Sequence, residues 1–418
     1  MRLLLTAILS CATLACSAGD PDPGPGEAAA ADPAAGGLGD AAAEDAPAPA
    51  GSGEPFLATT PGGDLLLSWV EATSDSTHAL RFARRTAAAW SAPRTVAEGG
   101  DWFVNWADFP SIVELPDGSL AAHYLRRSGP GTYAYDVWLT RSTDGGATWQ
   151  PALRPHRDGT QTEHGFVSLY AHGDSLGAVW LDGRAYEGAE TSHGGPGGEM
   201  SLRFTTWGRD AEPAAETALD ARTCDCCQTA VVVSDAGPVV FYRDRSEAEI
   251  RDIHVLRQVG GGWTESVPVH ADGWRIDACP VNGPAADASG SRIAVAWFTA
   301  AQDSPRVHVA FSADAGATFA PPVRVDGGDP VGRVDLVLDA DGTAYVSWLE
   351  NTPTGADIRV RAVSADGRAG RPVVAGSASA ARASGFPRLA RHDADLWLAW
   401  TEPGEASRVR LARVPVLP

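Results

Sequence analysis

Lysine is absent from this 418-residue chain, so all 33 basic residues are arginine. A GC-rich coding bias is the simplest source of that substitution. Acidic residues number 53, and the net charge of −20 argues against a nucleic-acid partner, because a polyanion would be repelled. No apolar run is long enough to cross a bilayer, and no long amphipathic helical pattern occurs. Cysteine is scarce at six residues, yet three fall within Cys224-Asp225-Cys226-Cys227, and Cys279 lies one repeat further on. Tryptophan is abundant at 14, and the length is ample for a large core.

The N-terminus reads as an export signal. Met1-Arg2 precedes the short apolar run Leu3–Ser10. Thr13-Leu14-Ala15-Cys16 resembles a bacterial lipobox, with Thr13 where leucine is usual. That resemblance makes residues 1–15 a lipoprotein signal peptide and Cys16 the lipidated residue. Ile8-Leu9-Ser10-Cys11 is a weaker second candidate, and a plain secretory signal cut after Ala15 or Ala18 is the alternative. Either route puts the chain outside the cytoplasm, facing the periplasm or on the cell surface, where disulfides form. A lipid anchor would then be its sole membrane attachment. Residues 16–53 are rich in Ala, Pro, Gly and acidic residues and are expected to be a disordered tether, leaving 54–418 as the folded domain.

From residue 54 one pattern recurs. A short strand and a turn lead to an apolar strand ending in an aromatic: Trp69, Tyr124, Trp180, Tyr242, Trp297, Trp348 and Trp400. A third strand follows each. Seven units spaced by roughly 50–60 residues imply an all-β propeller with four-stranded antiparallel blades. Seven blades is the expectation and six the alternative, since the last unit ends at Pro418 without a clear fourth strand.

Ser142-Thr143-Asp144-Gly145-Gly146-Ala147-Thr148-Trp149 and Ser312-Ala313-Asp314-Ala315-Gly316-Ala317-Thr318-Phe319 share Ser-x-Asp-x-Gly-x-Thr-Trp/Phe. Ser364-Ala365-Asp366-Gly367 is a decayed third copy. The motif resembles the Asp-box, or BNR repeat, of the sialidase superfamily, and the resemblance covers residues 54–418. It implies a propeller that acts on or binds acidic, sialic-acid-type glycans; if catalytic, it would be a glycoside hydrolase of exo-α-sialidase type. Family enzymes hold the substrate carboxylate with three arginines, one in an early Arg-Ile-Pro. Here the first blade reads Glu54-Pro55-Phe56-Leu57-Ala58, and no tyrosine matches the family nucleophile.

Strand parity puts the Asp-boxes at one end, here the bottom, and the loops entering each blade at the top. Top-face arginines Arg184, Arg243, Arg245, Arg333 and Arg388 are candidate carboxylate ligands, since a guanidinium fork suits that group. Asp182, Asp244 and Glu249 are candidate acid/base groups. A solvated ion-pair network is the plainer account of the Arg243–Asp252 run. The same phase puts Cys224, Cys226, Cys227 and Cys279 at the starts of adjacent blades, beside Glu163 and His164. They are candidates for disulfides, for a copper or zinc thiolate site with His164 as an extra ligand, or for free thiols. The expected partners are a glycan or other small ligand at the top face and no nucleic acid; the chain is expected to be monomeric.

Overall fold

The computed structural model describes residues 37–417, apart from 88, 190–197 and 210. The export signal, Cys11 and Cys16 lie outside these residues. Seven antiparallel sheets follow one another along the chain. Inner strands are Ser52–Thr59, Ser111–Glu114, His164–His172, Ala230–Ser234, Ala285–Ser289, Pro330–Leu338 and Arg388–His392. Each pairs with the apolar strand that follows it, and that strand with the next one outward. Blade 2 has three full strands, its fourth reduced to a bridge between Leu139 and Leu153.

Alternation along the second strand turns seven sheets into a ring. Successive side chains point to opposite faces, so Leu65, Leu67 and Trp69 pack on blade 7 while Leu66 and Val70 pack on blade 2. The recurring aromatic faces the preceding blade in every unit: Trp69, Tyr124, Trp180, Tyr242, Trp297, Trp348 and Trp400 each join a core shared with the blade before. All seven are at most 7% exposed. A fully buried large side chain contributes roughly 1.5–3 kcal/mol, so these aromatics hold neighbouring blades together.

Closure corrects the expected tether. Ala42–Glu44 pairs antiparallel with Arg408–Pro415 and supplies the outer strand of blade 7. A further bridge joins Leu38 to Val416, and Glu44 accepts from Arg413 Nε at 3.0 Å. The folded body therefore includes residues before 54. The added strand covers the outer edge of Arg408–Pro415.

At the bottom, Asp144 Oδ1 accepts from Ser142 Oγ and from the Thr148 backbone N–H. Asp144 Oδ2 accepts from Thr148 Oγ1. Gly146, at φ 84°, sits where a Cβ would strike the Phe82 ring, and Trp149 meets that ring edge-on. Asp314 repeats the pattern, with Phe319 against Phe241. In the third copy Gly370 stands in place of the threonine, and Arg368 pairs with Asp366 instead.

Candidate functional site

The upper halves of all seven inner strands enclose a channel cavity of about 150 Å³. Its wall includes Phe56, Phe109, Phe166 and Phe386, with Asp108, Gln228, Asp335 and Arg388 among the polar groups. Gln228 ties three blades together there. Its Nε2 donates to Ala107 O at 2.6 Å, and its Oε1 accepts from Gly283 N at 3.1 Å. Gly283 is required, because a Cβ would lie 2.1 Å from Gln228 O.

Four of the five candidate arginines are committed to protein acceptors. Arg243 is 2% exposed and donates to the carbonyls of Asn282, Arg251 and Phe298. Arg333 donates to the carbonyls of Ala380, Ala381 and Gly385 and stacks over Trp106. Burial without a counter-ion, beside Arg382, lowers its pKa to about 10. Arg184 grips Asp182, Asp158 and Glu216, and Arg245 grips Glu249 with Asp225 and Glu199 nearby. These four have no free fork, which corrects the expectation of an arginine cluster open to substrate.

Arg388 differs. Its Nε lies 3.1 Å from Asp335 Oδ2, it stacks over Phe56 and Phe109, and it lines the channel. Neither terminal nitrogen has a protein acceptor among the described residues.

The candidate acids divide likewise. Asp182 is fully buried, and bonds from Arg184 and Trp180 hold it as a carboxylate against the cost of burial. Arg245 and Arg251 hold Glu249 down to about 2, so it is no general acid. Asp244 goes the other way: burial, then the neighbouring Asp220, raises it to about 7.

Asp108 is the titratable group that composition did not single out. Burial pushes it up to about 7 against bonds from Tyr135 and the Phe166 N–H. Tyr135 Oη lies 2.7 Å from Asp108 Oδ2 and 2.8 Å from Glu163 Oε1. One phenolic proton is shared between these two acceptors, and the raised pKa of Asp108 makes it the carboxyl that takes up a second proton first. Gly165 makes room for the trio, since a Cβ there would come within 1.8 Å of Asp108 Oδ2.

His164 is not beside the cysteines. It stacks on His156 at 3.8 Å, with Asp158, Asp136 and Asp182 within 3.3–3.7 Å of its nitrogens. Burial opposes its protonation, but Asp158, Asp182 and Asp136 outweigh that and raise its pKa. Two parallel rings 3.8 Å apart aim their in-plane lone pairs side by side, not at one ion, so the pair does not fit a metal.

The sulfurs do converge. Cys226 and Cys279 form a disulfide with Cα atoms 6.1 Å apart, linking the entry loops of blades 4 and 5. Cys224 and Cys227 are reduced and buried, with Sγ atoms 3.3 Å apart. Two bonded sulfurs are lost to any four-sulfur copper or zinc site. Arg251, from the loop between the second and third strands of blade 4, donates to Cys224 Sγ at 3.3 Å. Its place in a charged run gave no sign of that partner.

No protein-family model matches the chain, and no curated protein matches it. Solved structures do align. A Dyadobacter fermentans protein of unknown function is 14% identical over 92% of this chain and 100% of its own, with a TM-score of 0.49. The Trypanosoma rangeli sialidase bound to the inhibitor DANA is 14% identical over 78% of this chain and 56% of its own, at 0.49. This chain thus spans little more than half of that sialidase. The polysaccharide lyase Uly1 is 10% identical over 90% of this chain and 91% of its own, also at 0.49.

Proposed function

We propose that the chain is an exported, lipid-anchored propeller that binds a small acidic sugar in the upper channel, with Arg388 as the carboxylate ligand. The observation that carries this is the unengaged guanidinium end of Arg388 in a cavity walled by phenylalanine rings. Those rings suit the apolar faces of a sugar ring, and the free fork suits a carboxylate. The Asp-box-like hairpins and their sialidase resemblance agree with that ligand class. A net charge of −20 disfavours long polyanionic chains and leaves a single acidic sugar as the better fit.

Binding is favoured over hydrolysis. Asp182 and Glu249 are held as carboxylates by arginines, so neither can protonate a leaving group. Equilibrium dialysis of the full chain against N-acetylneuraminic acid, glucuronic acid and glucose tests the proposal. The acidic sugars should bind and glucose should not. Arg388→Met should weaken binding roughly 10- to 100-fold, the worth of a hydrogen bond to a charged group. Equal binding of glucose, or no effect of Arg388→Met, would contradict it. A fluorogenic sialoside assay on the same protein should give no turnover.

A further inference from the structure

The cysteine cluster has a chemistry of its own, independent of any ligand in the channel. Cys224 and Cys227 have Cys-x-x-Cys spacing, and their sulfurs are 3.3 Å apart. The Sγ atoms of Cys224, Cys226 and Cys279 all lie within 4.8 Å of one another. A reduced sulfur therefore sits against an existing disulfide. Cys224, Cys226 and Cys227 are at most 4% exposed, whereas Cys279 is partly exposed.

Packing alone would explain two buried thiols, since free cysteine behaves as a small apolar residue. It does not explain Arg251, which is 2% exposed and divides its guanidinium between Cys224 Sγ at 3.3 Å and Glu249 Oε2 at 2.9 Å. Glu249 neutralises one edge of that guanidinium, and the other edge is aimed at Cys224 Sγ, where a thiolate is a stronger acceptor than a thiol.

We propose that the four sulfurs form a thiol–disulfide exchange centre, in which Cys224 attacks the Cys226–Cys279 bond and frees Cys279 at the surface. In the first step Cys224 Sγ, as thiolate, bonds to Cys226 Sγ. The Cys226–Cys279 bond breaks, and its electron pair leaves on Cys279. In the second step Cys227 gives its proton to the Cys279 thiolate and attacks Cys224 Sγ. The Cys224–Cys226 bond breaks, and Cys226 leaves as a thiolate. One disulfide, one proton and one negative charge are present before and after, so no outside oxidant is needed. A solvent disulfide can then react with the freed Cys279, which makes that residue the entry point for an external thiol–disulfide couple.

Electrostatics agree with this order of attack. Burial alone would raise the Cys224 thiol, but the bond from Cys227 and the charges of Arg251 and Arg243 outweigh it and bring it down to about 6. Cys227 is pushed up by burial and by the neighbouring Cys224 charge, as suits the resolving thiol.

The test is time-resolved alkylation of the folded full chain with iodoacetamide between pH 5 and 9, followed by tandem mass spectrometry. In the wild type, label should accumulate on Cys279 while a Cys224–Cys227 disulfide appears, with a midpoint near pH 6. Cys224→Ser should slow labelling of Cys279 at least about tenfold, because the attacking thiolate is gone. Cys227→Ser should trap the Cys224–Cys226 bond with Cys279 labelled. Arg251→Gln should move the midpoint up toward the ordinary thiol value of about 8.5. The midpoint is the readout because a more basic thiolate is also the stronger nucleophile, which masks the change in rate. The proposal fails if Cys279 labels equally fast in Cys224→Ser, or if Cys226–Cys279 stays intact at every pH. It also fails if the purified protein holds a stoichiometric copper or zinc ion on four thiolates.

Discussion

Two buried polar clusters sit at the same end of the propeller, and they differ in what is left over. Around His164, in blades 2 and 3, each charge faces an opposite one: His164, Arg184 and Arg154 against Asp136, Asp158 and Asp182. Around Cys224, between blades 3 and 5, a disulfide, a thiol pair and a guanidinium are in contact, and covalent rearrangement is open to them. Both regions look chemically rich in sequence. A cluster that neutralises itself is structural, whereas one with a bond to exchange can act.

Four experiments sharpen that contrast. His164→Leu should have the largest effect on stability, about 3–5 kcal/mol, because it strips the counter-charge from buried carboxylates. Chemical denaturation would measure it, and Cys279 labelling kinetics should not change. The pH dependence has a defined sign. A histidine whose folded pKa is raised gives its full stabilisation below its unfolded value of about 6.5 and loses it as pH rises through the folded value. The gap between wild type and variant should therefore shrink toward pH 9.

Replacing both Cys226 and Cys279 by alanine opens a link of sequence separation 53, worth about 4 kcal/mol at most in the chain-entropy account. The fall in Tm should be smaller than for His164→Leu, since packed blades already restrain both ends. An equal or larger fall would mean that the staple, and not exchange, is the main role of the sulfurs.

Asp108→Asn is a smaller perturbation. The folded pKa of Asp108, about 7, lies above the ordinary carboxyl value, so wild-type stability should rise as pH falls from 8 toward 5. The variant should lose about 1–3 kcal/mol of that rise, read from denaturation midpoints at the two pH values. An unchanged slope would mean that another group holds the proton shared with Tyr135 and Glu163. Asp366→Ala should have the smallest effect, a Tm change below that of Asp314→Ala, because its hairpin lacks the threonine bonds.

The ring was legible before the cluster chemistry was. Seven aromatics at one place in a repeat reveal themselves by alternation, and each became the wedge against the preceding blade. Ala42–Glu44 did not reveal itself. Its contribution is backbone pairing on an outer edge, and Ala-Ala-Glu carries no apolar signal for that. Repeat phase brought the cysteine segments to adjacent loops but misassigned His164, whose neighbours His156 and Asp158 lie in the loop just upstream. The arginines were the hardest to read. Arg243 and Arg388 are alike in composition terms, yet one is bound to carbonyls from residues 251, 282 and 298 and the other ends in open channel. Main-chain acceptors that distant leave no mark on the local sequence.

The most direct measurement is a crystal structure of the full chain grown with an acidic monosaccharide. The account predicts the sugar in the upper channel, with its carboxylate within hydrogen-bond distance of the Arg388 terminal nitrogens and its ring against Phe56 or Phe109. A sugar bound at Arg184 or Arg245, or a channel without sugar at saturating concentration, would contradict it.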